Sequence, residues 1–195
     1  LAQSGVLGSA PETRGAPRLA NPYDAAAALD ERARSYLQVN CSHCHREHAG
    51  GSVLVFMNYG LPLAQTGLID AKPTQGDFGI AGGRIVAPGD PYRSILLYRM
   101  AKLGRGHMPY LGTHRVDAQG LKLIHDWIRQ MPSGPSGPPA AVINLREQQN
   151  LWTRQLTAPG NVSEGDRLRA VERLLDSPDG ALQLLRAIDE GSLTP

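Results

Sequence analysis

The stretch Cys41-Ser42-His43-Cys44-His45 contains both cysteines of the 195-residue chain, and it decides how the rest of the sequence is interpreted. Residues three and four positions apart lie on one face of a helical turn. The spacing therefore predicts that the two sulfurs project from the same side of the chain, with His45 directly after them.

This C-x-x-C-H pattern is typical of covalent haem attachment. Two sulfurs three positions apart can reach the two vinyl groups on one porphyrin edge, and the next histidine is carried to the iron. A structural zinc site needs four ligands, an iron–sulfur cluster normally needs four cysteines, and a thioredoxin-like pair needs a strand leading into the motif. The alternative that stays open is a Cys41–Cys44 disulfide beside a histidine with no ligand role.

Haem iron has a second axial position opposite His45, and Met108 is the candidate for it. Met108 lies in the polar loop Gly104-Arg105-Gly106-His107-Met108-Pro109, where core packing gives little reason for a methionine. Its thioether is a soft ligand suited to haem iron. The rivals for the same position are His107, His48 and His114. The candidates for pairing with haem propionates are Arg84, Arg93 and Arg99. The simpler interpretation is that each of these arginines lies on a solvated face of the protein.

Helical patterns frame these two segments. A helix with Asp24 as its N-cap is predicted to run through Leu37 and to deliver the chain to the cysteine motif. A short helix is predicted after the N-cap pair Asp90-Pro91. A third helix is predicted between its cap Asp117 and Pro132, which stops it.

Composition divides the chain into four parts. Residues 1–21 form an arm or linker, 22–131 a haem domain, 132–139 a linker of sequence PSGPSGPP, and 140–195 a helical appendage. Within the haem domain, residues 47–88 are broken by glycines and predict brief strands or extended loop. The appendage is too small for a stable core of its own, so we expect it to dock on the haem domain or on a partner.

Charge and hydropathy exclude several classes of partner. The net charge is +2, from 20 basic and 18 acidic residues that are scattered along the chain, which favours neither a nucleic acid nor a membrane surface. The longest uncharged stretch, residues 49–69, is too polar to span a membrane. The chain begins at Leu1 without a signal segment, so we expect a processed or excised product.

The order of these features resembles the class I cytochrome c family. An N-terminal helix enters C-x-x-C-H, and a loop-rich middle, a Met-Pro loop and an amphipathic helix with Trp127 follow. The stretches Arg32–His45, Ala87–Ser94 and Met108–Gly112 are similar to bacterial cytochrome c domains that often sit at the end of secreted, dehydrogenase-like proteins. The resemblance covers about residues 22–131, and it does not account for residues 47–88 or for the chain after Pro132.

The resemblance implies a mainly α fold, with a cytochrome c-like haem domain, long loops and a small C-terminal helical appendage. It implies one covalently bound haem c, thioether links at Cys41 and Cys44, and iron ligation by His45 and Met108. Haem is attached to such proteins after export, so a periplasmic or otherwise extracytoplasmic location in a bacterium is implied.

The expected function is electron transfer, because a His/Met pair fills both axial positions and suits an acceptor of electrons from a dehydrogenase. The expected partner is therefore a redox protein, and no catalytic constellation indicates an enzyme. The alternative is a haem enzyme or gas sensor with an open or displaceable distal site, using His107 or His114 as a polar distal group. Met108 discriminates between the two.

Overall fold

A computed structural model describes the chain over most of its length. The described residues are 3–6, 8, 18–49, 53–111, 114–133, 138–157 and 162–193. Within these ranges the protein contains six α-helices and no strand, which confirms the mainly α class. Most of the arm at residues 1–21 and residues 134–137 of the predicted linker lie outside the described ranges.

Six helices follow one another along the described part of the chain. They are α1 (Leu29–Asn40), α2 (Ile95–Ala101), α3 (Ala118–Gln130), α4 (Ala140–Thr157), α5 (Glu164–Leu175) and α6 (Pro178–Asp189). Two short 3-10 turns, Leu63–Gln65 and Pro91–Arg93, lie between α1 and α2. None of the helices in the described ranges is long and apolar enough to cross a membrane.

Helix α1 begins four residues later than the sequence predicts, with Ala28 in place of Asp24 as its N-cap. The Asp24 carboxylate accepts a hydrogen bond from the Ala26 N–H at 3.0 Å, and the Asp24 carbonyl accepts one from the Ala27 N–H at 3.1 Å. These bonds close a separate turn, so Asp24 is not the N-cap of the helix. The helix ends at Asn40, directly before Cys41, as predicted.

Helices α1 and α3 pack against each other and form the frame of residues 22–131. A Cβ atom on Gly120 of α3 would lie 2.4 Å from the Tyr36 ring of α1, so the absence of a side chain permits this close approach. The Tyr36 hydroxyl donates to the Asp117 carboxylate at 3.1 Å, and the Trp127 indole N–H donates to the Asp30 carboxylate at 2.8 Å. The buried core beside this crossing includes Leu37, Met57, Leu68, Val86, Ile124 and Ile128.

The segment between α1 and α2 is held by backbone hydrogen bonds without forming a sheet. The Phe56 N–H donates to the Thr66 carbonyl at 2.8 Å, and the Val86 N–H donates to the Leu68 carbonyl at 3.0 Å. Isolated parallel bridges join Ile69 to Val86 and Arg84 to Ser94. Brief strands and extended loop were the two structures predicted for residues 47–88. The described residues of this segment form extended loop with one 3-10 turn.

Helices α4, α5 and α6 pack on one another, and α6 also packs on the turn Pro91–Arg93. Ser163 and Ser177 are the N-caps of α5 and α6. The Ser163 hydroxyl accepts from the Asp166 N–H at 3.1 Å, and the Ser177 hydroxyl accepts from the Gly180 N–H at 3.1 Å. The appendage therefore docks on the N-terminal part of the chain, as expected for a helical unit too small to be stable alone.

A carboxylate at the docking surface joins the two parts. Asp90 pairs with Arg186 of α6 at 2.6 Å and with Arg146 of α4, and Arg93 reaches the same carboxylate at 3.4 Å. The Arg186 guanidinium also lies 5.3 Å from the centre of the Tyr92 ring. Asp90 makes no capping hydrogen bond, contrary to the prediction, because its side chain is directed to these arginines.

Candidate functional site

The cysteine motif forms one helical turn directly after α1. The Cys41 carbonyl accepts hydrogen bonds from the Cys44 N–H at 3.1 Å and from the His45 N–H at 2.9 Å, and the Cys41 N–H donates to Leu37 at 2.9 Å. These bonds have the three- and four-residue spacing of a continuous helix. Cys41 and Cys44 therefore lie one helical turn apart, and His45 follows directly after them.

The turn is clamped between α1 and the following loop. The buried Ser42 hydroxyl donates to the Gln38 carbonyl at 2.5 Å and accepts from the Gln38 amide at 2.7 Å. The Gln38 amide oxygen accepts from the Tyr59 N–H at 2.7 Å, and the His45 carbonyl accepts from the Met57 N–H at 2.8 Å. The motif is thus held at both of its ends by residues of the core.

The His45 ring is placed as a ligand would be. Burial lowers the pKa of His45, which favours the neutral form that binds metals, while the Val55 backbone raises it by a smaller amount. The buried Nδ1 atom has no hydrogen-bond partner of normal geometry within the described residues. A ligating histidine usually donates its second ring N–H to a carbonyl or carboxylate. The Val55 backbone is the group nearest to that role.

The two thiols are close to each other but are not joined. Both cysteines are free, and burial together with the neighbouring Cys44 raises the pKa of Cys41 to about 12. Within the described ranges, no three His, Cys, Asp or Glu side chains form a group that could hold a metal ion. Cys41, Cys44 and His45 therefore do not converge on one point as the ligands of a zinc site do.

Met108 lies in a loop that closes onto the end of α2. Gly104 and Gly106 adopt φ of 74° and 84°, conformations that favour glycine, and the His107 N–H donates to the Gly104 carbonyl at 3.0 Å. The Met108 N–H donates to the Arg99 carbonyl at 3.1 Å. The partly buried Met108 is thus presented by a folded loop anchored to a helix.

The three histidine rivals lie in different surroundings. The His107 ring is buried, and its Nδ1 atom lies 3.2 Å from the Arg99 carbonyl, so this ring is directed to the protein backbone. The side chain of His48 is 91% exposed and faces Glu47 at 3.7 Å. His114 is exposed.

The three arginines considered for propionate pairing are each bound by the protein. Arg84 pairs with Asp70 at 3.1 Å. Arg93 is buried, because Asp90 and the Gly82 carbonyl bind it. The interpretation of Arg93 as a residue on a solvated face is therefore wrong. The Arg99 guanidinium donates to the carbonyls of Gly106 and Gln75 at 3.0 and 3.2 Å.

Arg99 binds the Met108 loop through its carbonyl, which accepts the Met108 N–H. Its positive charge is also the smallest of the causes that lower the pKa of His45, after burial and the neighbouring His43.

Large apolar side chains on both segments are exposed. Leu54, next to Val55, is 85% exposed, and Tyr110 and Leu111, which follow the Met108 loop, are 69% and 78% exposed. The donor set, two thiols and an imidazole on one turn with a thioether on a folded loop, fits a covalently bound haem.

Sequence reasoning did not find Val55, Met57 or Phe78 at this site. The first two act through their backbones, which leave no residue-specific signal. Phe78, which lies against the Arg99 guanidinium at 4.6 Å, is one of only two phenylalanines and stands directly before Gly79 in a loop. Its position in a glycine-broken segment was the one available signal.

Comparison with known proteins adds no assignment to this geometry. No family model, curated protein or solved structure matches the chain.

Proposed function

We propose that the chain is a monohaem c-type cytochrome that transfers electrons. The observation that carries the proposal is the helical turn after α1, which holds the two cysteines of the sequence one turn apart and His45 directly after them, with its Nδ1 atom buried. Cys41 and Cys44 would attach the haem through thioether bonds, and His45 and Met108 would hold its iron. When bound, the haem supplies an iron that accepts and releases one electron.

The protein's own residues fix the positions of these groups. Helix α1 carries the motif, and the Gln38 side chain and the Met57 N–H hold the turn from two sides. Burial lowers the pKa of His45 and so favours the neutral imidazole that binds a metal. A site built in this way needs little rearrangement when an electron arrives.

The chemistry of the thioether, a soft ligand suited to haem iron, favours Met108 as the second ligand. Of the histidine rivals, His48 and His114 are exposed, and the buried His107, whose Nδ1 atom lies 3.2 Å from the Arg99 carbonyl, is the one that the experiment below must separate from Met108. A thioether opposite an imidazole raises the reduction potential relative to two histidines. This suits a module that accepts electrons from a dehydrogenase, and we propose a redox protein as the partner and an extracytoplasmic compartment as the location.

The spectrum of the purified protein in both oxidation states tests this function. With both axial positions filled, the oxidised protein should show a weak sulfur-to-iron charge-transfer band in the red to near-infrared region, and the reduced protein should bind little carbon monoxide. Met108→Ala should abolish the band and open the site to carbon monoxide. Met131→Leu, at the partly buried end of α3, is the matched control and should retain the band.

Two results would contradict the proposal. If Met108→Ala leaves the spectrum unchanged while His107→Ala abolishes it, the ligand pair is His/His. If the parent protein is high-spin and binds carbon monoxide readily, a haem enzyme or gas sensor is the correct function.

A further inference from the structure

Two residues outside the loop that carries Met108 bind it: the Lys102 ammonium donates to the Arg105 carbonyl, and Arg99 makes the larger set of contacts. The Arg99 carbonyl accepts the Met108 N–H at 3.1 Å and lies 3.2 Å from the His107 Nδ1 atom. The Arg99 guanidinium donates to the Gly106 carbonyl at 3.0 Å. Arg99 therefore contacts the loop through both its main chain and its side chain, at three successive residues.

Arg99 is itself held in place by a second segment. Its guanidinium donates to the Gln75 carbonyl at 3.2 Å and lies 4.6 Å from the centre of the Phe78 ring. The Tyr98 ring packs on Phe78 with 5.1 Å between the ring centres. The guanidinium is thus fixed by two hydrogen bonds and a cation–π contact in addition to its backbone.

The position of the Phe78 ring leaves no room for a side chain on the loop. A Cβ atom on Gly106 would lie 2.8 Å from the Phe78 ring. Phe78 adopts φ of 59°, a left-handed conformation that is unfavourable for a bulky residue and that persists only where the surrounding contacts enforce it. The contact between Phe78, Arg99 and Gly106 is therefore a specific arrangement and not a loose surface approach.

We propose that Arg99, supported by Phe78, is a positioning residue that keeps Met108 on the haem iron. The inference rests on the proposed function and adds to it the device that holds the second ligand. Without the guanidinium, the loop keeps its own His107–Gly104 hydrogen bond and the contact of Lys102 with the Arg105 carbonyl, but it loses the hydrogen bonds that join Gly106 through Arg99 to Gln75. Met108 then competes less well with ligands from solution.

The experiment measures how readily added imidazole replaces Met108 in the oxidised, haem-loaded protein. A ligand that needs the open loop binds in proportion to the open fraction, so loosening the loop raises the apparent affinity. Loss of a charged hydrogen bond predicts an increase of about tenfold for Arg99→Gln, with a weaker sulfur-to-iron band. Arg99→Lys should behave similarly, because an ammonium cannot reproduce the planar two-pronged contact.

Two further variants make the test specific. Arg105→Gln removes a positive charge from an exposed position in the same loop and should change the imidazole affinity by less than about twofold. Phe78→Leu removes the ring but leaves the hydrogen bonds of Arg99, and it should raise the affinity in the same direction. If the Arg99→Gln variant does not fold, the imidazole affinity of Phe78→Leu tests the proposal in its place.

The outcomes separate this inference from the proposed function. If Met108→Ala loses the band but Arg99→Gln and Phe78→Leu keep both the band and the parent affinity, the positioning role is wrong and the electron-transfer function stands. If the parent has no sulfur-to-iron band, or Met108→Ala retains it, the proposed ligand set is wrong and the inference falls with it.

Discussion

Replacing Asp90 by Asn should strongly weaken the attachment of the appendage. Asn keeps the size and shape of the side chain but removes the charge that pairs with Arg93, Arg146 and Arg186. Two of these arginines come from α4 and α6, so the carboxylate links residues 22–131 to the appendage, as does the more exposed pair of Arg129 with Asp189 at 3.2 Å. The three guanidinium groups would remain close together without a counter-charge.

The magnitude follows from the burial of the cluster. The Asp90 side chain is only 12% exposed, and Arg146 and Arg186 are 24% and 22% exposed. Removing one partner of a buried ion pair costs about 3–5 kcal/mol, and partial exposure of the arginines places this case at the lower end, about 3 kcal/mol. For a chain of this length the melting temperature should fall by about 6–12 °C.

Urea and thermal denaturation followed by far-ultraviolet circular dichroism measure this change. Glu147→Gln, an exposed substitution on α4 beside Arg146, is the matched control and should change the free energy of unfolding by no more than about 0.5 kcal/mol. The visible spectrum of Asp90→Asn at low denaturant should equal that of the parent. A loss below about 1 kcal/mol for Asp90→Asn would refute the reasoning that the buried cluster fastens the appendage.

Three further predictions concern acid, truncation and helix packing. Burial raises the pKa of Asp90 but the arginines lower it by more, so the stabilisation by this carboxylate is complete above about pH 4 and is lost as the pH falls through the folded pKa. Denaturation at several pH values should show that the difference in the free energy of unfolding between the parent and Asp90→Asn closes below about pH 4. A difference that stays constant with pH would contradict this prediction. A chain ending at Pro132 should keep the visible spectrum and lose thermal stability, and loss of the low-spin spectrum in a folded truncation would show that the appendage supplies a ligand. Gly120→Ala should lower the free energy of unfolding by about 1–3 kcal/mol despite alanine's better helix propensity, because the new Cβ atom would meet the Tyr36 ring. The control Gly165→Ala, in the open first turn of α5, should not destabilise the protein. Equal effects of the two substitutions in denaturation would show that the contact between α1 and α3 is not tight.

Features determined by local sequence could be predicted. Asp117, Ser163 and Ser177 cap their helices because a short oxygen-bearing side chain satisfies N–H groups within three residues. The C-x-x-C-H turn is local in the same sense, since its hydrogen bonds join neighbours. Asp24 failed as a cap for an equally local reason, because its carboxylate closes a turn of its own before Leu29.

Features that depend on distant partners could not be predicted. The loop between α1 and α2 is held by backbone pairs such as Phe56 with Thr66 and Leu68 with Val86, which carry no side-chain signature. Asp90 was expected to cap a helix, but Arg186, 96 positions away, determines its role. The position of Arg99 between two loops likewise depends on tertiary packing, and 17 arginines in the sequence gave no means of selecting it.

The mass of the denatured protein, purified after export by a bacterium that makes c-type cytochromes, tests the central claim most directly. The account predicts the mass of the polypeptide plus one haem, which remains after extraction with acidified acetone, and no titratable thiol at Cys41 or Cys44. Cys41→Ala with Cys44→Ala should then give the mass of the polypeptide alone. A parent protein without the added mass, or with two titratable thiols or a haem that acetone extracts, would contradict the account.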